Sequence, residues 1–235
     1  EWHWDNKAVF KTTRLDRHSV ALGGRYGLKK FDAENQFFQS DNQASFESVD
    51  TQWKEYSVFF EDTWQATEKL TISLGLRYDK FLMEEVTTNG ISYTPENEDH
   101  WSPRVALVYQ INDFHNIKFS YQHGFRMPDA SYYDWYTQNN NAAEALGYNT
   151  ATLEPETMDS YEINYLWEVN PRLSVGMNFY YNEFEKQLSW GSLDNIWSPA
   201  EVTAINSYNG VTWGGGQFQN LQDKSQAYGG EMLAN

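Results

Sequence analysis

The chain has no cysteine, so disulfides, thiolate metal sites and a cysteine nucleophile are all excluded. It has no run of about eighteen apolar residues, the length a membrane-spanning helix needs. Basic residues are scarce: 17 Lys and Arg face 33 Asp and Glu, a formal charge of −16. That balance argues against a nucleic-acid binder, which requires a basic face to neutralise phosphates. The first residues, Glu1-Trp2-His3-Trp4-Asp5, lack the basic and apolar regions of an export signal, so any such signal is expected upstream or already removed. Aromatic residues, by contrast, are abundant, at 17% with 10 Trp and 16 Tyr. A mean hydropathy of −0.74 would suit a soluble β-sandwich or lectin. It equally suits a transmembrane β-barrel, in which every second strand residue faces a polar lumen.

Alternation along the chain separates these two readings. Successive side chains of a strand point to opposite faces. Between 116 and 126, Ile117, Phe119, Tyr121, His123 and Phe125 alternate with Lys118, Ser120, Gln122, Gly124 and Arg126. Leu70, Ile72, Leu74, Leu76 and Tyr78 alternate in the same way with Thr71, Ser73, Gly75, Arg77 and Asp79. The pattern predicts about nine strands: a weak one near 4–14, then 19–28, 53–66, 70–79, 104–111, 116–126, 160–167, 173–182, and one starting near Ser225. Asp62 interrupts the apolar face of the third, which is tolerable near a membrane edge. No helical period competes. The strands run to ten residues or more, the length that crosses a bilayer when tilted. Short turns at 15–17, 67–69, 112–114 and 170–172 alternate with long polar connections at 32–52, 85–100, 127–156 and 187–224. Sorting of connections by length describes an antiparallel up-and-down outer-membrane barrel, with short periplasmic turns and long external loops. The inward faces carry Arg25, Arg77, Arg104, Lys118, Arg126 and Glu162, which a dry sandwich core could not bury unpaired.

Phe119-Ser120-Tyr121 leading into Gly124-Phe125-Arg126-Met127-Pro128 resembles a recurrent stretch of TonB-dependent outer-membrane receptors. Leu153-Glu154-Pro155-Glu156 followed by Tyr161-Glu162 is similar to the segment that opens the family's next strand. Gly75-Leu76-Arg77-Tyr78-Asp79, Ser102-Pro103-Arg104 and Gly229-Gly230-Glu231 are weaker echoes. The resemblance implies an all-β fold, with the nine strands forming part of a barrel of about twenty-two in a Gram-negative outer membrane. It implies a receptor that imports a scarce ligand using energy from TonB. The family's plug domain, TonB-engaging segment and aromatic closing strand are not recognisable here, so residues 1–235 read as an internal segment of the barrel domain. Lipid, lipopolysaccharide and, through parts outside this segment, the TonB complex are the expected partners. No cofactor is expected.

The ligand class implied by the resemblance is a ferric siderophore first, with haem, vitamin B12 and oligosaccharide open. Candidate ligand-binding residues are Arg126 at the rim and Tyr132, Tyr133, Trp135 and Tyr136 in the loop beyond Pro128. Trp190, Trp197 and Trp213 join them from the loop at 187–224. Aromatic rings beside carboxylates and amides suit a sugar, a planar chelate or a catechol; the competing role for the same rings is to anchor or pack the loops. His3, His18, His100, His115 and His123 are scattered, and none lies between Pro128 and Pro155, where haem receptors of the family carry an iron ligand. Acidic loop residues such as Glu84, Glu85, Glu96, Glu98 and Asp99 suit a cationic ligand or bridging divalent ions better than an anionic chelate. No nucleophile elbow, zinc-protease motif or calcium-loop spacing is present, Asp194 and Asn195 included. No catalytic or metal-binding residues are therefore expected; a passive porin and a barrel-type protease or lipase stand as alternative functions.

Overall fold

The computed structural model describes residues 2–38, 44–88, 90–210 and 216–234. Nine long strands form one antiparallel meander: β1 (Trp2–Leu15), β2 (His18–Phe38), β3 (Ala44–Gln65), β4 (Leu70–Met83), β7 (Glu98–Asn112), β8 (His115–Arg126), β9 (Glu156–Asn170), β10 (Leu173–Glu185) and β13 (Ser225–Ala234). All nine fall where alternation predicts them. Four short strands, β5 (Val86–Thr88), β6 (Ile91–Tyr93), β11 (Leu188–Ser192) and β12 (Gly216–Asn220), lie in the long connections. Two helices do as well, α1 (Tyr133–Ala145) and α2 (Pro199–Tyr208). These helices were not anticipated.

Turn chemistry follows the sequence at the periplasmic end. Asn112 Oδ1 accepts from Phe114 N, and Asn170 Oδ1 accepts from Arg172 N, both at 2.9 Å. Each asparagine thus closes a turn onto its own backbone. In the two-residue turn before β2, Arg17 adopts φ 60°, the left-handed region that non-glycine residues enter mainly in turns. At the other end β2 and β3 run further than expected. Their pairing continues from Phe31↔Thr51 to Phe38↔Ala44, so much of the predicted 32–52 loop is a β-ribbon projecting beyond the barrel wall.

The two faces separate as predicted. Leu22, Val58, Leu74, Ile163 and Phe179 are exposed on one face, where in a soluble protein so large an apolar surface would be a liability. Across this face runs an aromatic line: Tyr26 pairs Tyr56, Tyr78 pairs Trp101, and Tyr121, Tyr161, Tyr181 and Tyr228 sit opposite one another in turn. The line slips two residues between β3 and β4 and four between β7 and β8, six over the seven steps from β2 to β13. A slip of about one residue per strand, at 3.3 Å rise and 4.8 Å spacing, corresponds to a strand tilt of roughly 35°. That is the tilt of transmembrane barrels. The line is level only if the strands are tilted, as expected of a girdle at a flat interface. A second belt lies toward the turns, where Trp64 stacks on His18 at 5.6 Å and His115 stacks on Tyr165 and Trp167, each at 5.8 Å. Asp62, two residues from Trp64, is met by His18 Nδ1 at 2.7 Å.

The opposite face is polar, and many of its charges are paired. Arg104 meets Glu61, Arg25 and Lys29 converge on Glu55 at 3.1 and 3.2 Å, and Arg77 Nε donates to Asp79 Oδ2 at 2.8 Å. Near the external end the wall departs from simple alternation. The pairing of β7 with β8 stops at Arg104↔Gln122, whereas β8 stays paired with β9 out to Arg126↔Glu156. Beyond that split Phe125, expected on the apolar face with Ile117 and Phe119, packs edge-on against Phe81 at 5.7 Å and stacks on His100 at 4.5 Å.

Candidate functional site

With lipid on one side of the wall and a polar lumen on the other, the strands have little interior to fill. Among the described residues, the hydrophobic core cluster lies instead in the external connections. Tyr133, Tyr136, Ala142 and Ala143 of α1 pack with Val86 of β5, Ala151, Leu153, Leu193 and Trp197, and with Val202 and Ile205 of α2. Three long connections thus fold together into a cap over one end of the barrel wall.

Local chemistry explains its pieces. In α2, Pro199 takes the first helical position, and Ser198 N–H and Oγ donate to Glu201 Oε2 at 2.8 and 2.7 Å. Ser198-Pro199-Ala200-Glu201 is therefore a capping-box signature legible in the sequence. These bonds hold the Glu201 carboxyl below the ordinary carboxylate range. No such signature marks α1, which buries polar side chains beside its aromatic and alanine ones: Thr137, Asn139 and Asn140 are all buried. Asn140 Nδ2 donates to Tyr136 O at 2.8 Å, and Ala151 N donates to Asn140 Oδ1 at 2.6 Å. Asn209 Nδ2 donates to Asn139 Oδ1 at 3.0 Å, and Asn139 Nδ2 to Gln217 Oε1 at 3.2 Å, linking α1 to α2 and β12. At the base of the cap, Asn220 exchanges bonds with the backbone of Glu154 at 2.8 Å in both directions, and Leu188 N donates to Glu156 Oε1 at 2.6 Å.

The predicted site residues divide into two groups. Tyr133, Tyr136 and Trp197 are enclosed, at 2%, 3% and 5% exposure. The Tyr136 hydroxyl donates to Ala151 O and Trp197 Nε1 to Asn149 O, both at 2.8 Å. Burial pushes the Tyr133 and Tyr136 hydroxyls far above the usual phenol range, so neither is a phenolate at physiological pH. Tyr132 is half-buried against the cap core, and Trp190 lies at the surface. Tyr132 stacks on Phe218 at 3.9 Å, and the half-exposed Trp190 meets the same ring edge-on at 5.6 Å. Phe218 is the cross-strand partner of Trp190; its place was not anticipated, although Leu188-Ser189-Trp190 and Gln217-Phe218-Gln219 carry a short alternating signal. Arg126 is exposed at the rim and pairs with Glu156 at 2.6 Å. Trp135 is half-buried, and Trp213 lies outside the described residues. His123, expected near the external rim, pairs with Asp159 at 3.0 Å. Among the described residues no group of three His, Asp or Glu side chains is arranged to hold a metal.

Beside Trp190 a cleft of about 590 Å³ opens between residues 150–154 and the β11–β12 hairpin. Thr150, Thr152, Asn195, Gln219 and Gln222 line it, and its one charged side chain, Glu154, pairs with Lys186 at 2.7 Å.

Comparison with known proteins agrees with this architecture. The iron-regulated outer membrane virulence protein of Vibrio cholerae is 22% identical over 184 residues, which are 77% of this chain and 24% of that protein. The ferric-catecholate import receptor Fiu of E. coli K12 superposes with a TM-score of 0.62 at 12% identity, over 99% of this chain and 35% of its own. The ferripyoverdine receptor of the Pseudomonas aeruginosa outer membrane does so with 0.62 at 18%, over 99% and 30%. At these identities the structural likeness is one of fold, and the chain spans about a quarter of the length of the curated relatives it matches. The family described as "TonB dependent receptor-like, beta-barrel" matches residues 2–235. This chain, a tilted antiparallel wall with a lipid-facing girdle and a polar lumen, thus belongs to the TonB-dependent receptor β-barrel family, in the outer membrane of a Gram-negative bacterium.

Proposed function

We propose that this chain is part of a receptor that captures a scarce nutrient at its extracellular face and imports it with energy supplied through TonB. A ferric siderophore is the leading ligand class. The observation that carries this reading is the aromatic shelf of Tyr132, Phe218 and Trp190, presented on a cap that has its own packed core. A passive pore has no need of such a cap. In this reading Tyr132 and Trp190 meet the ligand and Arg126 stands at the rim, while Tyr133, Tyr136 and Trp197 hold the cap in shape. Trp135 and Trp213 stay as further candidates. The named roles of the relatives, iron regulation in one and ferric-chelate import or binding in the others, favour iron over other nutrients. The unpaired edges of β1 and β13 cannot face lipid, so we infer that further barrel strands flank them in the receptor, and that the plug and the TonB contact lie outside this segment.

A strain lacking the receptor, grown under iron limitation, tests this directly. Restoring the gene should rescue growth on one ferric chelate of a panel, only when TonB is present, and Trp190→Ala with Tyr132→Ala should lose the rescue while inserting normally. Rescue without TonB, or free passage of small sugars into liposomes carrying the complete protein, would refute the reading in favour of a porin.

A further inference from the structure

The external connections of this segment are short of cations in a way that bears on which chelate they take. Residues 31–52, 84–100 and 127–156 contain no lysine or arginine, and 185–224 contain only Lys186 and Lys224. Lys186 is held by Glu154, and Lys224 lies 2.9 Å from Glu183 and 2.5 Å from Glu185. Arg126, at the rim, is taken by Glu156. Lys186, Lys224 and Arg126 therefore each already face a carboxylate, and Asp129, Glu144, Asp194 and Asp223 are exposed carboxylates of the same connections. The cleft beside Trp190 offers hydroxyls, primary amides and one indole, with its only carboxylate neutralised by Lys186.

Recognition of an anion calls for arginine or lysine donors free to reach it. A cleft within a Debye length of several carboxylates repels an anion instead, because separations below about 8 Å are poorly screened at physiological salt. Iron(III) chelates fall into two charge classes. Three bidentate hydroxamates each contribute one negative charge and balance the metal; three catecholates each contribute two and leave a trianion. Neutral hydroxamate oxygens accept hydrogen bonds from amide N–H and hydroxyl donors, which the cleft supplies, and an organic backbone can lie on the Trp190 indole.

We propose that this receptor selects a ferric chelate of zero net charge, of the tris-hydroxamate class, in the cleft beside Trp190, and that its acidic face rejects tris-catecholate trianions. The selection rests on the reading of the chain as part of a ferric-chelate receptor. It is tested with the full-length receptor, by calorimetric binding of iron(III) tris-hydroxamate and iron(III) tris-catecholate complexes and by radio-iron uptake in cells. The neutral chelate should bind at least tenfold more tightly. Trp190→Ala should weaken it about tenfold, whereas Tyr208→Ala, exposed on α2 and outside the cleft, should not. Gln222→Lys, and separately Glu154→Gln, which frees Lys186, should each raise catecholate affinity several-fold, more at low salt than at high. Equal or tighter binding of the catecholate by the unmodified receptor, with import still requiring TonB, overturns the charge selection and leaves the receptor reading standing. Failure of both chelates to bind or enter overturns both.

Discussion

Asn140→Ala should open the cap without touching the barrel wall. Asn140 is wholly buried; one of its two hydrogen bonds stays within α1, to Tyr136 O, and the other ties α1 to the segment that returns to β9. Tyr136 O accepts the helical N–H of residue 140 whatever the side chain is, so losing the Nδ2 bond costs it about 1 kcal/mol. Ala151 is different: its residue is 8% exposed and its N–H has Asn140 Oδ1 as acceptor. Left without a partner, that N–H adds a desolvation penalty of about 2 kcal/mol. The sum, about 3 kcal/mol, corresponds to roughly a hundredfold rise in local opening. Hydrogen exchange at the Ala151 amide, measured on receptor in detergent or lipid, should speed up by that factor, while amides in the β4–β7–β8 wall keep their rates. Asn140→Asp keeps an acceptor for Ala151 and should accelerate exchange less. An Ala151 rate within about threefold of the unmodified protein would refute the view that this amide holds the cap.

Leu74→Arg puts a charge on the lipid face between the two aromatic belts and should cost about 2–4 kcal/mol of barrel stability; Ser73→Arg, on the lumenal face, should cost far less, as read by denaturant unfolding in lipid vesicles. Gly216→Ala adds a methyl that would lie 2.6 Å from Trp190 Nε1 and 2.9 Å from Gly191 O. It should displace the indole and weaken ligand binding several-fold with the barrel intact; unchanged affinity would remove Trp190 from the site. Glu201 has a depressed pKa, so its contribution to α2 is complete above the ordinary carboxylate pKa and is lost as pH falls through the lower, folded value. Protease sensitivity of 199–208 should therefore rise in acid, and Glu201→Gln should flatten that pH dependence.

The wall of the barrel was legible because its information is local. Alternation of period two assigns Leu74 outward and Ser73 inward without knowledge of any neighbour. Connection length then orders the strands as a meander, since an up-and-down barrel needs no crossover. Even the girdle could be anticipated from the tyrosine content, although only the pairing register shows the slip that implies the tilt. The split of β8 from β7, which brings Phe125 against Phe81 and His100, has no local signal, because it depends on which neighbour stops pairing first.

The cap was legible in part. Ser198-Pro199-Ala200-Glu201 announces α2, but α1 buries asparagine and threonine where an amphipathic helix would bury leucine, so no apolar stripe marks it. Its stability comes from partners as distant as Gln217, 78 residues along the chain from Asn139. Composition made Tyr132, Tyr133, Tyr136, Trp190 and Trp197 equivalent candidates; the fold made them unequal, enclosing three, half-burying Tyr132 against the core and leaving Trp190 half-exposed, the last two both on Phe218. By itself the sequence determined the strands, their faces and the charge of the external surface, each a property of residues taken in order. The tertiary structure alone decided which aromatic rings meet solvent, because burial depends on what the rest of the chain brings alongside.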